Sequence, residues 1–238
     1  MEASRTAFHN ISYMIAEIKR KRKVKKSPVI HDNRNAIRIG AFISIPKNAS
    51  KSVLDILELG HNRDEETTRS LVIYENHQRA AVLDRKYGLD NLFVFCFSRN
   101  PYDRCVSWFE YHKDIEPYKF YTFESWIKNG MPHHWDIQNQ TNYAEKGLSP
   151  LLQYNFVENY KVDFIGQIEN FSRDINTVIE RLNTICENRG LRHRFQYTPK
   201  RVNTSERHTD LQHYYTKETR EIVYAHLKQD FMHFGYAP

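Results

Sequence analysis

Apolar positions in this chain come in two rhythms, short continuous runs and recurrences at helical spacing, and the two follow one another in order. Ile37–Ile45 is an apolar, β-branched run that predicts a strand, ended by Pro46. Beyond Lys47-Asn48-Ala49-Ser50-Lys51-Ser52, residues Val53, Leu54, Ile56 and Leu57 recur at helical spacing up to Gly60. Leu71–Tyr74 predicts a short strand, Gln78–Tyr87 a helix closing at Gly88, and Asn91–Ser98 a third strand. Phe93 to Phe97 are apolar without interruption, as in a strand buried on both faces. Asn100 and Pro101 are suited to the cap and first position of a helix that carries Val106 and Phe109 inward. Phe120–Asn129 predicts a short helix, residues 130–150 an irregular stretch, Val162–Gly166 a strand, and Ile168–Asn188 a long helix before Gly190. The tail from Tyr214 to Tyr236 predicts one amphipathic helix with Thr216 as its cap. Strands alternating with helices imply right-handed crossovers and an α/β fold, a parallel sheet with helices on both faces in a single domain.

The N-terminal segment has a different character. Phe8, Ile11, Ile15 and Ile18 define an amphipathic helix, and Lys19 to Lys26 is almost entirely basic. With Ser27-Pro28 as a break, residues 1–35 are expected to form a helix and basic arm, and 36–238 the main domain. The basic run is expected to be a solvated arm, or a contact for acidic lipid, nucleic acid or glycan. The whole chain of 238 residues carries a net charge of +6, which suits an anionic partner. Its three cysteines, Cys96, Cys105 and Cys186, make no disulfide framework or CxxC pair and are expected to be free thiols. No run approaches the roughly 20 apolar residues of a membrane span.

Candidate chemistry gathers where strands end. The loop after the first strand, with small and hydroxyl residues, Lys47 and Lys51, opens directly on a helix whose first N–H groups lack internal partners, so the arrangement is an anion site. It has no glycine, and its lysine comes early, unlike the nucleotide loop GxxxxGK[ST]. Arg99 closes the third strand and Ser107 lies two turns into the next helix, both at the edge where open α/β sheets bind ligands. His133 and His134 are adjacent and lack zinc-ligand spacing, so no metal site is expected.

Pro46-Lys47-Asn48-Ala49-Ser50-Lys51-Ser52 resembles the 5'-phosphosulfate loop of sulfotransferases that use 3'-phosphoadenosine 5'-phosphosulfate (PAPS), in particular their carbohydrate branch. Lys51 stands where that family usually has a hydroxyl residue. Phe97 to Ser107 resembles the family's 3'-phosphate motif, an apolar strand, Arg-[Asp/Asn/Glu]-Pro and then Arg-x-x-Ser. Phe164 to Phe171 and the ending Asp230-Phe231-x-x-Phe234-Gly235-Tyr236 are similar to other family segments. The resemblance implies a P-loop-like sheet and PAPS as co-substrate. It places residues 47–52 at the 5' end of the donor and Arg99 and Ser107 at its 3'-phosphate. It also implies a basic loop near Lys200, Arg201 and Asn203 over the nucleotide, and a hydroxyl-bearing acceptor, a glycan or other small molecule. Lys47 is the expected electrostatic clamp on the leaving phosphate. A base is also needed, and the sequence offers His77 after the second strand, then His134 in a His-Trp-x-x-Gln segment similar to one near the family's acceptor cleft, then Glu75. A cytoplasmic location is expected, or the Golgi lumen if an anchor lies outside this sequence. Two other readings compete: a P-loop kinase or NTPase, and a non-catalytic binder of polyanions or nucleic acid acting through the basic arm.

Overall fold

A four-stranded, all-parallel sheet carries the molecule, with strands in the order β2-β1-β3-β4. These strands are β1 (Gly40–Ile43), β2 (Val72–Tyr74), β3 (Phe93–Ser98) and β4 (Phe164–Gln167). The computed structural model describes residues 37–59, 71–133, 149–197 and 210–238. The predicted helix at Phe8–Ile18, the basic arm Lys19–Lys26, His134, Lys200, Arg201 and Asn203 lie outside the described residues. Among the described residues, no helix is long and apolar enough to cross a membrane.

Alternation within β1 and β3 divides the core between the two faces of the sheet. Phe42, Phe93, Phe95 and Phe97, with Ile39 just before β1, pack with helices α1 (Ser50–Ile56) and α5 (Phe171–Asn188), chiefly Val53, Leu54, Ile175, Val178 and Leu182. Ala41, Ile43, Val94 and Cys96 face the other way, toward Leu83 of helix α2 (Ala80–Tyr87), Phe156 and Phe234. All six residues of β3 are buried, as its uninterrupted apolar run predicts. A third cluster joins helices α3 (Pro101–His112) and α4 (Phe123–Lys128) to the C-terminal helices through Trp108, Phe109, Trp126, Val223 and Phe231. The expected α/β architecture, helices on both faces of a parallel sheet, is therefore the observed one.

Several boundaries move, and each has a local cause. The first strand is shorter than Ile37–Ile45; just beyond its C-terminal end the Ser44 C=O accepts from His77 Nδ1 at 3.0 Å, a side chain in the place of a ladder partner. Helix α1 stops at Ile56 rather than running to Gly60, which lies outside the described residues. Glu58, at φ 53°, takes the left-handed position, and Leu59 N–H bonds back to Leu54 O at 2.8 Å, closing the helix as a Schellman turn. Asn100 caps α3 as expected, accepting from Tyr102 N–H and Asp103 N–H, with Pro101 at the first position. The predicted helix at Phe120–Asn129 is a 3₁₀ turn at Tyr118–Phe120 followed by α4, with Thr122 as cap. The first turn of the long helix is 3₁₀, Ile168–Asn170.

The tail is the larger correction. It is two helices, α6 (Lys217–His226) and α7 (Lys228–Phe234), not one. Thr216 does cap α6. At Leu227 the backbone leaves helical geometry (φ −111°, ψ 22°), and the break turns Asp230 into the interior. There its carboxylate accepts from Gln153 N–H and Tyr154 N–H at 2.9 and 2.8 Å. Two charge-assisted hydrogen bonds to buried amides outweigh continuing one helical turn.

Gly166, in β4, is demanded by packing. A Cβ there would meet the Phe97 ring at 2.5 and 2.7 Å. Both ring carbons belong to a side chain locked in the core, so Gly166→Ala is expected to destabilise the domain by about 2 kcal/mol. A lowered urea midpoint with unchanged slope checks this.

Candidate functional site

The loop Pro46–Ser52 leaves the C-terminal end of β1 and opens on α1. It carries strain without any glycine: Lys47 and Ala49 have φ of 66° and 54°, in the left-handed region. Such positions cost about 1–3 kcal/mol each and persist only where the surroundings impose them. Three side chains do so. Arg104 Nε donates to Pro46 O at 2.9 Å, Arg99 Nη1 to Lys47 O at 3.0 Å, and Asn48 Nδ2 to Phe97 O at 2.7 Å. A turn of this kind aims successive amides toward one concavity, which favours an anion. Lys51 is exposed, while Ser52 is buried beneath the loop.

Gln153 joins the two motifs. Its Oε1 accepts from Asn48 Nδ2 at 2.6 Å and from Arg99 N–H at 3.0 Å, while its Nε2 donates to Arg99 O at 2.9 Å. These bonds fix the orientation of the Asn48 amide, whose Oδ1 is buried without a hydrogen-bond partner among the described residues. Arg104, fully buried, also donates to Leu151 O and Pro150 O. Burial pushes its guanidinium down to about 10, opposed by the nearby Asp230 carboxylate, so it stays charged at neutral pH. Asp230 is raised to about 6 by burial, against the pull of Arg104 and the two backbone amides. Lys47 and Arg99, widely separated in sequence, meet at one sheet edge.

One face of α3 looks toward the loop. Asp103 accepts from Arg99 Nε at 2.6 Å and aims the guanidinium at the loop. Arg99 Nη2 donates to none of the described residues. One turn on, Ser107 is buried, and its hydroxyl makes no hydrogen bond to a described residue. By contrast, the helical hydroxyls of Thr177 and Thr184 bond back to the preceding turn, to Arg173 O and Glu180 O. One turn further, the Tyr111 ring lies under Lys47 Nζ, 3.6 Å from centroid to nitrogen.

His77 stands beside the loop at a left-handed φ of 54°. Its Nδ1 is 3.0 Å from Ser44 O and 3.2 Å from Ser44 Oγ. A carbonyl only accepts, so Nδ1 carries the proton and the lone pair of the neutral ring sits on Nε2. Ser44 Oγ donates to Ser50 Oγ at 2.9 Å, and Ser50 Oγ to Ile45 O at 3.1 Å. Donors thus run in one direction from the imidazole into the loop. Burial lowers the His77 pKa, with smaller contributions from the Arg104 and Lys47 charges against the Ser44 hydrogen bond. Glu75 points elsewhere, accepting from Lys86 Nζ and Tyr87 OH on α2, which removes the third base candidate from the site. Among the described residues no group of three or more His, Cys, Asp or Glu is placed to hold a metal ion.

Gln153, Ser44 and Tyr111 had no signal in the sequence, and Asp230 stood out only within the family-like ending, with no sign of the amides it holds. Arg104 did, since it belongs to the Arg-x-x-Ser pattern, but its role as a carbonyl anchor depends on a partner loop far along the chain.

A strained, cation-flanked loop at the C-terminal edge of a parallel sheet, faced by an arginine and by a hydroxyl without a partner among the described residues, is an arrangement suited to an anion. More narrowly, the chain belongs to the sulfotransferase family, whose model matches residues 41–237. It is also 32% identical over 93 residues to an uncharacterized protein of Archaeoglobus fulgidus, a match covering 39% of this chain and 69% of that protein.

Removing the Gln153 amide leaves the buried Asn48 Nδ2 and the partly buried Arg99 N–H and C=O without that partner. Gln153→Ala is expected to cost roughly 2–4 kcal/mol of stability, read from urea unfolding.

Proposed function

We propose that this sulfotransferase moves a sulfuryl group from PAPS to a carbohydrate hydroxyl by in-line displacement at sulfur. The observation that carries the reading is the direct bond between the two motifs, Arg99 Nη1 to Lys47 O, which brings a lysine-bearing loop and an arginine–serine pair to one edge. The residues there fit such a donor. The Ser107 hydroxyl and Arg99 Nη2 are donor groups without partners among the described residues, the kind of group a phosphate needs. In this reading residues 47–52 hold the 5' phosphosulfate, and Arg99 and Ser107 the 3'-phosphate. A guanidinium fork suits phosphate oxygens. Lys200 and Arg201 complete the nucleotide contacts from the segment outside the described residues.

Lys47 supplies positive charge where the departing phosphate gains negative charge, aided by the loop amides. His77 is the base: its lowered pKa keeps the ring neutral at pH 7, and Nε2 takes the proton from the acceptor hydroxyl. His134 remains the alternative base.

Calorimetry with 3'-phosphoadenosine 5'-phosphate (PAP) against ATP tests the donor. PAP is expected to bind and ATP to bind far more weakly, whereas a preference for ATP would point to a kinase. Transfer of labelled sulfate from PAPS to a panel of desulfated glycosaminoglycans tests the acceptor and the base. His77→Asn is expected to lower turnover by about 10²-fold or more. In the wild type, turnover falls as His77 takes up a proton, so the acid limb of the pH profile lies below 6.5. Near-normal turnover in His77→Asn with loss in His134→Asn would transfer the role to His134.

A further inference from the structure

We propose that Tyr111 is a positioning residue for Lys47, holding the ammonium in a resting place that the donor must draw it from. The inference rests on the PAPS reading above and concerns how Lys47 is delivered. The Lys47 main chain is fixed, by the left-handed φ of 66° and by the Arg99 bond to its carbonyl. Only rotation about the side-chain bonds can therefore carry the ammonium between partners. In the structure that ammonium lies 3.6 Å from the centre of the Tyr111 ring.

Tyr111 is not held there by the core. It is 70% exposed, the residue one turn beyond the buried Ser107 on α3. An exposed aromatic of this size contributes little to folding, and what it contacts is the charge that the proposed chemistry needs. The relative strengths of the two contacts make the arrangement workable. A cation over an exposed ring is a weak attraction, whereas a hydrogen bond from an ammonium to a phosphate oxygen is charge-assisted on both sides and stronger. The ring thus keeps a flexible lysine near its task, and yields it when an anion arrives. Leaving the ring has a cost, which appears as a small reduction in donor affinity.

The test is PAP binding by calorimetry in four proteins: wild type, Tyr111→Leu, Lys47→Ala and the double variant, with Tyr111→Phe as control. Tyr111→Leu removes the π face, and PAP is expected to bind about two- to five-fold more tightly. Tyr111→Phe, which keeps the ring, is expected to bind as the wild type does. In the Lys47→Ala background the Tyr111→Leu change is expected to have no effect. Unchanged or weaker PAP binding in Tyr111→Leu overturns the proposal, and so does tightening that persists without Lys47. Failure of the wild type to bind PAP at all would instead reject the donor reading, and this inference with it.

Discussion

A buried cation holding backbone carbonyls is the constraint on which the site depends. Arg104 sits wholly inside the protein and spends its guanidinium on Pro46, Leu151 and Pro150, so that the strand-end loop and the segment before Gln153 share one anchor. An isolated guanidinium in that place would be costly to bury. Three carbonyl dipoles and the Asp230 carboxylate nearby offset the cost. The same anchor explains how a loop without glycine keeps two residues in left-handed conformations. The strain is met by Arg104, Arg99 and Asn48 acting on the backbone from outside the loop, rather than by the loop's own flexibility.

Charge organises the chemistry around this anchor. Arg104 and Lys47 both disfavour a protonated His77, and burial disfavours it more. Burial is thus the main cause of the lowered His77 pKa, and the two cations beside the loop add to it. The Ser44 and Ser50 hydroxyls relay a one-way run of hydrogen bonds from His77 to Ile45 O, which fixes the ring's tautomer and ties its orientation to the loop. A change in loop conformation would be felt at the imidazole without any direct contact. On the other side of the site, α3 presents Asp103, Ser107 and Tyr111 one turn apart, which makes one helix face responsible for aiming Arg99 and meeting Lys47.

The C-terminal helices reach the site through polar contacts as well as packing. Asp230 holds the amides of Gln153 and Tyr154. The Tyr236 hydroxyl meets Ser98 Oγ at 3.1 Å and donates to Glu169 at 2.9 Å, and Glu169 also accepts from Asn100 N–H. The ending that reads as packing in the sequence is thus tied to the end of β3, one residue before Arg99.

Period and punctuation in the sequence were sufficient for the parallel sheet, for the helices on both its faces, and for the placing of Lys47 and Arg99 where strands end and of Ser107 in the helix that follows, because burial periodicity, Pro46 and the Asn100-Pro101 cap are local. The break at Leu227 was not legible, since α6 and α7 together keep a helical pattern and what divides them is the attraction between Asp230 and two amides distant in sequence. Gln153, Ser44 and Tyr111 were invisible for the same reason: a polar or aromatic residue carries no sign of the partner that will face it. The chain alone determined which elements form and which residues stand at their ends; only the tertiary structure decided what those ends hold, because hydrogen bonds and cation contacts between distant segments exist only after the core has brought them together.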